Sequence, residues 1–293
     1  MLCTFWWMQS CYEDVELCNY LSWIRAFSDI SARTIYRNWR YKYTVQHEFK
    51  DYVVNTIQET KFAGSRLNSL DSVDYFWDKG ELRKLFVLLN IIDCNHSNER
   101  FRFDLYNKSK GWDIEHIDSQ TPNDFKQEKN KKEWLIDAWQ ELSKAQKDAF
   151  IIKFGFQEDT FDISAIDFIE FKSYAEYIVQ LTKNAEDQIP EERTNKLGNL
   201  ALLNLSINRS YKNDIFPLKR KSIINHVNSG SEFIPPCTVK AFSKFYTKTA
   251  SRITSWQNAD YSDYYDVMNT WFMEFMSKET THKKDKTDAK AID

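Results

Sequence analysis

The sequence predicts a mostly helical α+β protein, and its composition supports this fold class. Of its 293 residues, 42% are hydrophobic and 16% aromatic, which is enough to bury a sizeable core. Only six Gly and five Pro are present, so turn residues are too scarce for an all-β fold with many short strands. The formal net charge is -3, which excludes a general basic field of the kind that binds nucleic acid indiscriminately. Any DNA contact therefore requires a local basic patch.

Hydrophobic periodicity predicts where the helices and strands lie. Residues 1 to 98 carry apolar and aromatic residues at steps of three and four, most clearly in FWDKGELRKLFVLLNII, and are predicted to be helical. In NERFRFDLYNKSKGWDIEHI the period shifts towards two, which predicts short strands, with Trp112, Ile114 and His116 on one face. Two further helical segments follow, and the first is predicted to stop at Gly155.

The segment after these helices predicts a strand and two more helices. LALLNL is the expected strand, and Ser206 is a candidate N-cap for the helix that carries Asn208. A second helix is expected to begin near Pro217 and to end before Gly230. The predicted order is therefore strand, helical insertion, strand, helix.

Cysteine use and hydropathy predict a cytoplasmic protein that does not act on membranes. The five cysteines form no CxxC pair and no zinc-ligand cluster, so buried free thiols are expected. The apolar start of the chain lacks the basic region of a signal peptide, and no run has the apolar length of a membrane span.

A histidine beside a carboxylate is the first candidate for chemistry. In GWDIEHIDSQ, Glu115 precedes His116 within the predicted strand. Such a histidine can act as a general base, because its pKa lies near neutral pH and a neighbour can hold its tautomer. One carboxylate and one amide oxygen, with water in the other positions, suit Mg²⁺, and Glu115 and Asn208 are the expected pair. The alternative is a structural histidine, which is the commoner situation for a lone His on an apolar strand.

The motifs IEHIDSQ and KLGNLALLNLSINRSYKN, in this order, resemble the HNH nuclease motif in its ββα-metal fold. The version they resemble is that of the C-terminal half of GmrSD-type restriction endonucleases, and the similarity covers roughly Leu85 to Met276. EHI alone has little specificity. The nine-residue step from Asn199 to Asn208 has more, because it is similar to the step in the HNH domain of RNA-guided CRISPR nucleases.

The resemblance implies a role for each matching residue. His116 would be the general base that takes a proton from the attacking water, and Glu115 would be the acidic metal ligand. Asn199 would brace the loop and help to orient the base, although a simple turn residue after Gly198 is an equal alternative. Asn208 would be the second metal ligand, in a position where the motif has His. The implied cofactor is Mg²⁺ or Mn²⁺, and the implied reaction is phosphodiester hydrolysis.

A basic group beside the predicted metal helix is the expected phosphate-binding surface, because the protein is otherwise slightly acidic. A solvated helix face is the alternative. The members of the group are Arg209, Lys212, Lys219, Arg220 and Lys221, with Asn213 as a further phosphate-side contact.

Under this resemblance the chain divides into three parts. Residues 1–98 form a helical linking or docking region, and residues 99–240 form the HNH nuclease domain with its helical insertion at 124–195. Residues 241–293 form C-terminal helices and a polar tail. Ser119 departs from the family, in which Pro is common at that position. The sequence also contains neither a DGQQR-like motif nor a P-loop, so a separate NTPase or sensor subunit is the expected partner.

These features predict a metal-dependent DNA endonuclease that is the effector of a prokaryotic anti-phage restriction system. Its expected substrate is phage double-stranded DNA. One alternative is a DNA-binding or scaffold subunit that keeps the fold but has a decayed site. The other is an RNase, because metal-assisted hydrolysis does not by itself select the sugar.

Overall fold

The computed structural model describes residues 2–43, 45–118, 128–167, 170–182, 188–210, 215–248 and 255–279. It confirms a mostly helical α+β fold with a small two-stranded antiparallel sheet. The chain forms two compact units, one of Met1–Ser109 with Val267–Asp293 and one of Lys110–Asp266. The predicted three-part division, with boundaries after residues 98 and 240, stays a prediction.

The described elements of the first unit are helices, and α5 is buried over most of its length. Its elements are α1 (Leu2–Glu13), α2 (Val15–Phe27), α3 (Ala32–Tyr41), α4 (Gln46–Gln58), α5 (Lys79–His96) and α6 (Phe103–Lys108). Helix α5 starts where the Asp78 carboxylate accepts hydrogen bonds from the backbone N–H groups of Gly80 and Glu81. All residues from Leu85 to Cys94 are buried, and the helix predicted over FWDKGELRKLFVLLNII is confirmed.

The strands predicted from the alternation in NERFRFDLYNKSKGWDIEHI are only partly correct. Residues Phe103–Lys108 form helix α6, and the strand is limited to Trp112–His116. Phe103 and Tyr106 are three residues apart and make an edge contact with ring centroids at 6.0 Å, which is a helical spacing. A short stretch can fit both the helical and the strand periodicity. Here the packing of the aromatic rings favours the helix.

The second unit contains both strands and the remaining helices. Its elements are β1 (Trp112–His116), α7 (Glu128–Glu141), α8 (Lys144–Phe154), α9 (Phe171–Thr182), β2 (Leu200–Asn204), α10 (Leu205–Ser210), α11 (Phe216–Ser229) and α12 (Pro236–Phe242). The long helix α13 (Asn258–Ser277) starts in this unit and ends in the first. The predicted end of α11 is confirmed, because Gly230 adopts a left-handed conformation (φ 60°) directly after it.

The insertion between the strands builds an apolar core that also includes Ile215 and Leu218, at the start of α11. Its first predicted helical segment is two helices, because Ser143 and Gln146 form a capping box that starts α8 directly after α7. Gly155 ends α8 with φ 72°, as predicted. Helices α7, α8 and α9 bury an apolar cluster that includes Trp134, Phe150 and Tyr174, so the insertion is packed and is not a structureless loop.

The cysteines that the structure describes are free thiols. Cys11, Cys94 and Cys237 are buried and Cys18 is half-buried, and burial raises the pKa of the Cys11 thiol to about 12. Cys11 is therefore protonated and unreactive at neutral pH. Among the described helices none combines the length and the apolar character needed to cross a membrane.

Candidate active site

The two halves of the predicted motif meet in an antiparallel strand pair. Strand β1 pairs with β2 so that Glu115 lies opposite Ala201 and His116 lies opposite Leu200. Helix α10 follows β2 without a break. It starts at Asn204, whose side-chain oxygen accepts the backbone N–H of Ser206 at 2.9 Å, so Asn204 takes the capping position predicted for Ser206. The order strand, insertion, strand, helix agrees with the prediction.

Asn199 joins the segment after β1 to the turn before β2. Its side chain is fully buried. Its Oδ1 accepts the backbone N–H of Asp118 at 2.8 Å, and its Nδ2 donates to the carbonyl oxygens of Asp118 and Thr194 at 3.1 and 2.9 Å. The backbone carbonyl of Asn199 also accepts the N–H of Ile117 at 2.8 Å. One buried amide therefore satisfies three backbone groups, and it fixes the chain on the C-terminal side of His116.

His116 is half-buried at the end of β1, and its ring contacts Asn195. The distance from His116 Nε2 to Asn195 Oδ1 is 2.9 Å. An amide oxygen only accepts hydrogen bonds, so this contact favours the tautomer that carries its proton on Nε2. The lone pair of the neutral ring then lies on Nδ1, which is the nitrogen able to take a proton. No feature of RTNKLGN distinguishes Asn195 from its neighbours, so sequence reasoning missed it.

Glu115 forms a buried ion pair with Lys219 of α11. The distance between Glu115 Oε1 and Lys219 Nζ is 2.7 Å, and the side-chain exposures are 12% and 0%. The same ammonium donates to the backbone carbonyl of His116 at 2.7 Å. A buried ammonium without such acceptors would be very unfavourable, so this pair ties α11 to the Glu115–His116 dipeptide.

A comparison with known proteins matches the segment that contains α9, β2 and the helices that follow β2. Residues 158–281 match the family model described as GmrSD restriction endonucleases, C-terminal domain. The GmrSD resemblance is confirmed. The matched residues include Asn195, Asn199 and Lys219, whereas Glu115 and His116 precede them. Searches of curated proteins and of solved structures gave no significant match. The matched segment is therefore similar to the C-terminal domain of restriction endonucleases.

The basic residues of the matched segment lie in different environments. Lys219 is buried against Glu115, which is not the solvent-facing position expected of a phosphate contact. Arg220 is half-buried, and its Nε has no hydrogen-bond partner among the described residues. Lys221 is about half exposed (49%) and lies 3.6 Å from Glu141. The backbone of Asn208 and Arg209 belongs to α10, but their side chains, and all of Lys212, Asn213 and Ser119, lie outside the described residues.

The Glu115 carboxylate fits a metal ion that needs few protein ligands. No group of three or more His, Cys, Asp or Glu side chains with metal-binding geometry occurs among the described residues. Mg²⁺ does not require one, because it keeps several waters and binds through one or two carboxylates and substrate phosphates. Oε1 of Glu115 accepts from Lys219, whereas Oε2 has no hydrogen-bond partner within the described residues. That oxygen is available to a divalent ion.

The turn that positions Asn199 depends on Gly198. A Cβ atom on Gly198 would lie 2.7 Å from the Tyr261 ring, and the Gly198 carbonyl accepts the indole N–H of Trp256 at 3.2 Å. We expect Gly198→Ala to lower the free energy of unfolding by about 1–3 kcal/mol, as overpacking does, in a denaturant titration. Combining it with Tyr261→Leu should relieve part of the loss. An unchanged stability of the single variant would show that the ring can move aside.

Proposed function

We propose that this protein is a metal-dependent HNH-type DNA endonuclease, the effector of a prokaryotic anti-phage restriction system that acts in the cytoplasm on phage double-stranded DNA. One observation carries the proposal. The pairing of β1 with β2 joins the strand of Glu115 and His116 to the segment of the buried Asn199, whose side chain accepts the Asp118 N–H, in a chain whose residues 158–281 match the GmrSD C-terminal domain.

His116 acts as the general base in this proposal. Asn195 holds the Nε2 side of the ring, so the Nδ1 lone pair takes the proton from the water that attacks the phosphorus atom. Asn199 acts indirectly. Its side chain forms hydrogen bonds with the backbone of Asp118 and Thr194 and so fixes the chain on either side of the site. Both asparagines are therefore positioning residues, and His116 is the residue that reacts.

Glu115 and Asn208 would hold a Mg²⁺ or Mn²⁺ ion. When bound, such an ion stabilises negative charge on the scissile phosphate and on the leaving 3′ oxygen. Lys219 fixes one oxygen of Glu115 and leaves the other for the ion. The Lys219 ammonium also repels a divalent ion, so a DNA phosphate beside the ion would improve its binding. The basic residues Arg209, Lys212, Asn213 and Arg220 are proposed to contact phosphates.

Metal removal gives a direct test of the proposed reaction. We expect purified protein to cut plasmid DNA in Mg²⁺ or Mn²⁺, to lose all cleavage in EDTA, and to recover it when the metal is restored. The assay measures conversion of supercoiled plasmid to nicked and linear forms. It is run with and without the product of the neighbouring gene, because we propose a separate NTPase or sensor subunit as partner. Absence of cleavage under all of these conditions would contradict the proposal, and selective cleavage of RNA would make the protein an RNase.

The Glu115–Lys219 pair also favours a second candidate function, a DNA-binding or scaffold subunit with a decayed site. A lysine ammonium at 2.7 Å from Glu115 already neutralises the carboxylate, which is part of what a metal ion would do there. Under this alternative, phage defence in cells would survive His116→Ala, and the purified protein would bind DNA in a salt-dependent way without cutting it.

A further inference from the structure

Helix α3 of the first unit carries an exposed stripe of arginines. Arg33, Arg37 and Arg40 are separated by four and three residues, so they lie on one face of the helix. All three are exposed, and so is Lys42, which follows the helix. The sequence from Ile30 to His47 contains no Asp or Glu. This is a local positive surface on a protein whose net charge is -3, and composition alone did not reveal it.

Two arginines of the stripe, Arg33 and Arg37, have no role in folding that the described residues reveal. Of the ten residues of α3, only Ile35 is buried, and the helix starts at the Ser31 side chain, which accepts the Thr34 N–H at 3.1 Å. Arg33 and Arg37 have no hydrogen-bond or ion-pair partner in the part of the chain that the structure describes. Lys50 of the same unit, in contrast, lies within 3.1 Å of two carboxylates. Like charges four residues apart weaken a helix, so folding by itself would not favour this pattern.

The chemistry of the stripe matches a phosphate backbone. The guanidinium group presents donors in a planar fork that suits phosphate oxygens. Arg33 to Arg40 spans seven residues, or about 10 Å of helix axis, which is the length of about three base pairs of duplex. Aromatic residues alternate with the cations, and Tyr41, at 73% exposure, lies beside Arg40 with the guanidinium carbon 5.4 Å from the ring centroid. Basic and aromatic side chains on one surface are typical of nucleic-acid contacts.

We propose that α3 docks onto the phosphate backbone of double-stranded DNA and thereby supplies a binding surface in the unit that does not contain the nuclease motif. The contact is electrostatic and independent of sequence, because the stripe offers charges for phosphates. It provides the local basic patch that the near-neutral composition requires, in addition to the residues around α10 and α11. The proposal goes beyond the proposed function, because docking by α3 does not depend on cleavage or on metal.

Binding of a short fluorescent DNA duplex by the full chain, measured by anisotropy in EDTA, tests the proposal without any chemistry. We expect Arg33→Glu with Arg37→Glu to weaken binding at least about tenfold and to reduce the slope of log Kd against log salt by about 2. Arg33→Lys with Arg37→Lys should keep most of the affinity, because the charges remain. Circular dichroism of each variant establishes that α3 and the rest of the chain are folded.

Two exposed cations elsewhere in the same unit serve as the control, of which Arg66 lies 3.8 Å from Glu59. Lys61→Glu with Arg66→Glu changes the net charge by the same amount in the turn after α4, and it should alter the affinity only slightly. An equal loss in both double variants would overturn the proposal, because it would show an effect of net charge alone. A loss of binding to phosphatidylserine vesicles with unchanged DNA affinity would also overturn it and would assign α3 to a membrane surface. Since EDTA removes catalysis, an inactive nuclease would leave the DNA result intact.

Discussion

Replacing His116 by alanine is expected to lower the rate of DNA cleavage by about 10²–10⁴-fold, which is the usual contribution of a general base. The half-buried ring accounts for the effect, because the contact of Nε2 with Asn195 at 2.9 Å favours the tautomer whose basic nitrogen is Nδ1. DNA affinity in EDTA should remain unchanged, because the loss concerns proton transfer. Single-turnover cleavage of plasmid DNA in saturating Mg²⁺ gives the rate, and anisotropy gives the affinity.

A second histidine of the same unit provides the control for this variant. His226 on α11 is also half-buried and also has a side-chain hydrogen bond, between its Nδ1 and the Ser231 hydroxyl at 2.9 Å, but it has no place in the proposed reaction. His226→Ala should therefore cut DNA at nearly the rate of the unmodified protein. If the two variants were equally active, His116 would not be the base, and the decayed-site alternative would gain support.

Replacing Lys219 by methionine is expected to lower the free energy of unfolding by about 3–5 kcal/mol, as the loss of one partner from a buried ion pair does. The substitution leaves the Glu115 carboxylate, at 12% exposure, without its cation and removes the hydrogen bond to the His116 carbonyl. Lys219→Met with Glu115→Leu should recover most of the stability, because an apolar pair can replace a buried ion pair. Urea titration followed by fluorescence of the ten Trp residues gives the values.

Lys221 is the matched control, since it lies two residues further along the same helix. Its ammonium is 3.6 Å from Glu141 and its side chain is about half exposed. Lys221→Met should change the free energy of unfolding by only about 0–1 kcal/mol, because water screens an exposed pair. Similar losses in the two single variants would mean that Lys219 is not held by a buried pair. If a folded Lys219→Met variant cut DNA at the full rate, Lys219 would contribute to the stability of the protein but not to the positioning of Glu115.

Local rules accounted for much of the fold. The apolar period of α5, the glycines that end α8 and α11, and the two strands were all predicted from residues near one another in sequence. The error at Phe103–Lys108 has a physical cause, because alternating and helical patterns overlap in a short aromatic stretch and packing decides between them. The first helical segment of the insertion divides at Ser143, because Ser143 and Gln146 form a capping box. A capping box is only a weak signal in a sequence.

The sequence by itself determined the helical class, the order strand, insertion, strand, helix, and the resemblance that the family match confirms over residues 158–281. Tertiary structure alone decided which side chains surround the Glu115–His116 dipeptide. Asn195 reaches the His116 ring from 79 residues away, and Lys219 reaches Glu115 from 104 residues away. Neither contact leaves a periodic or local pattern, because the free energy of a buried polar contact depends on burial and on the partner's position, which exist only in the folded chain.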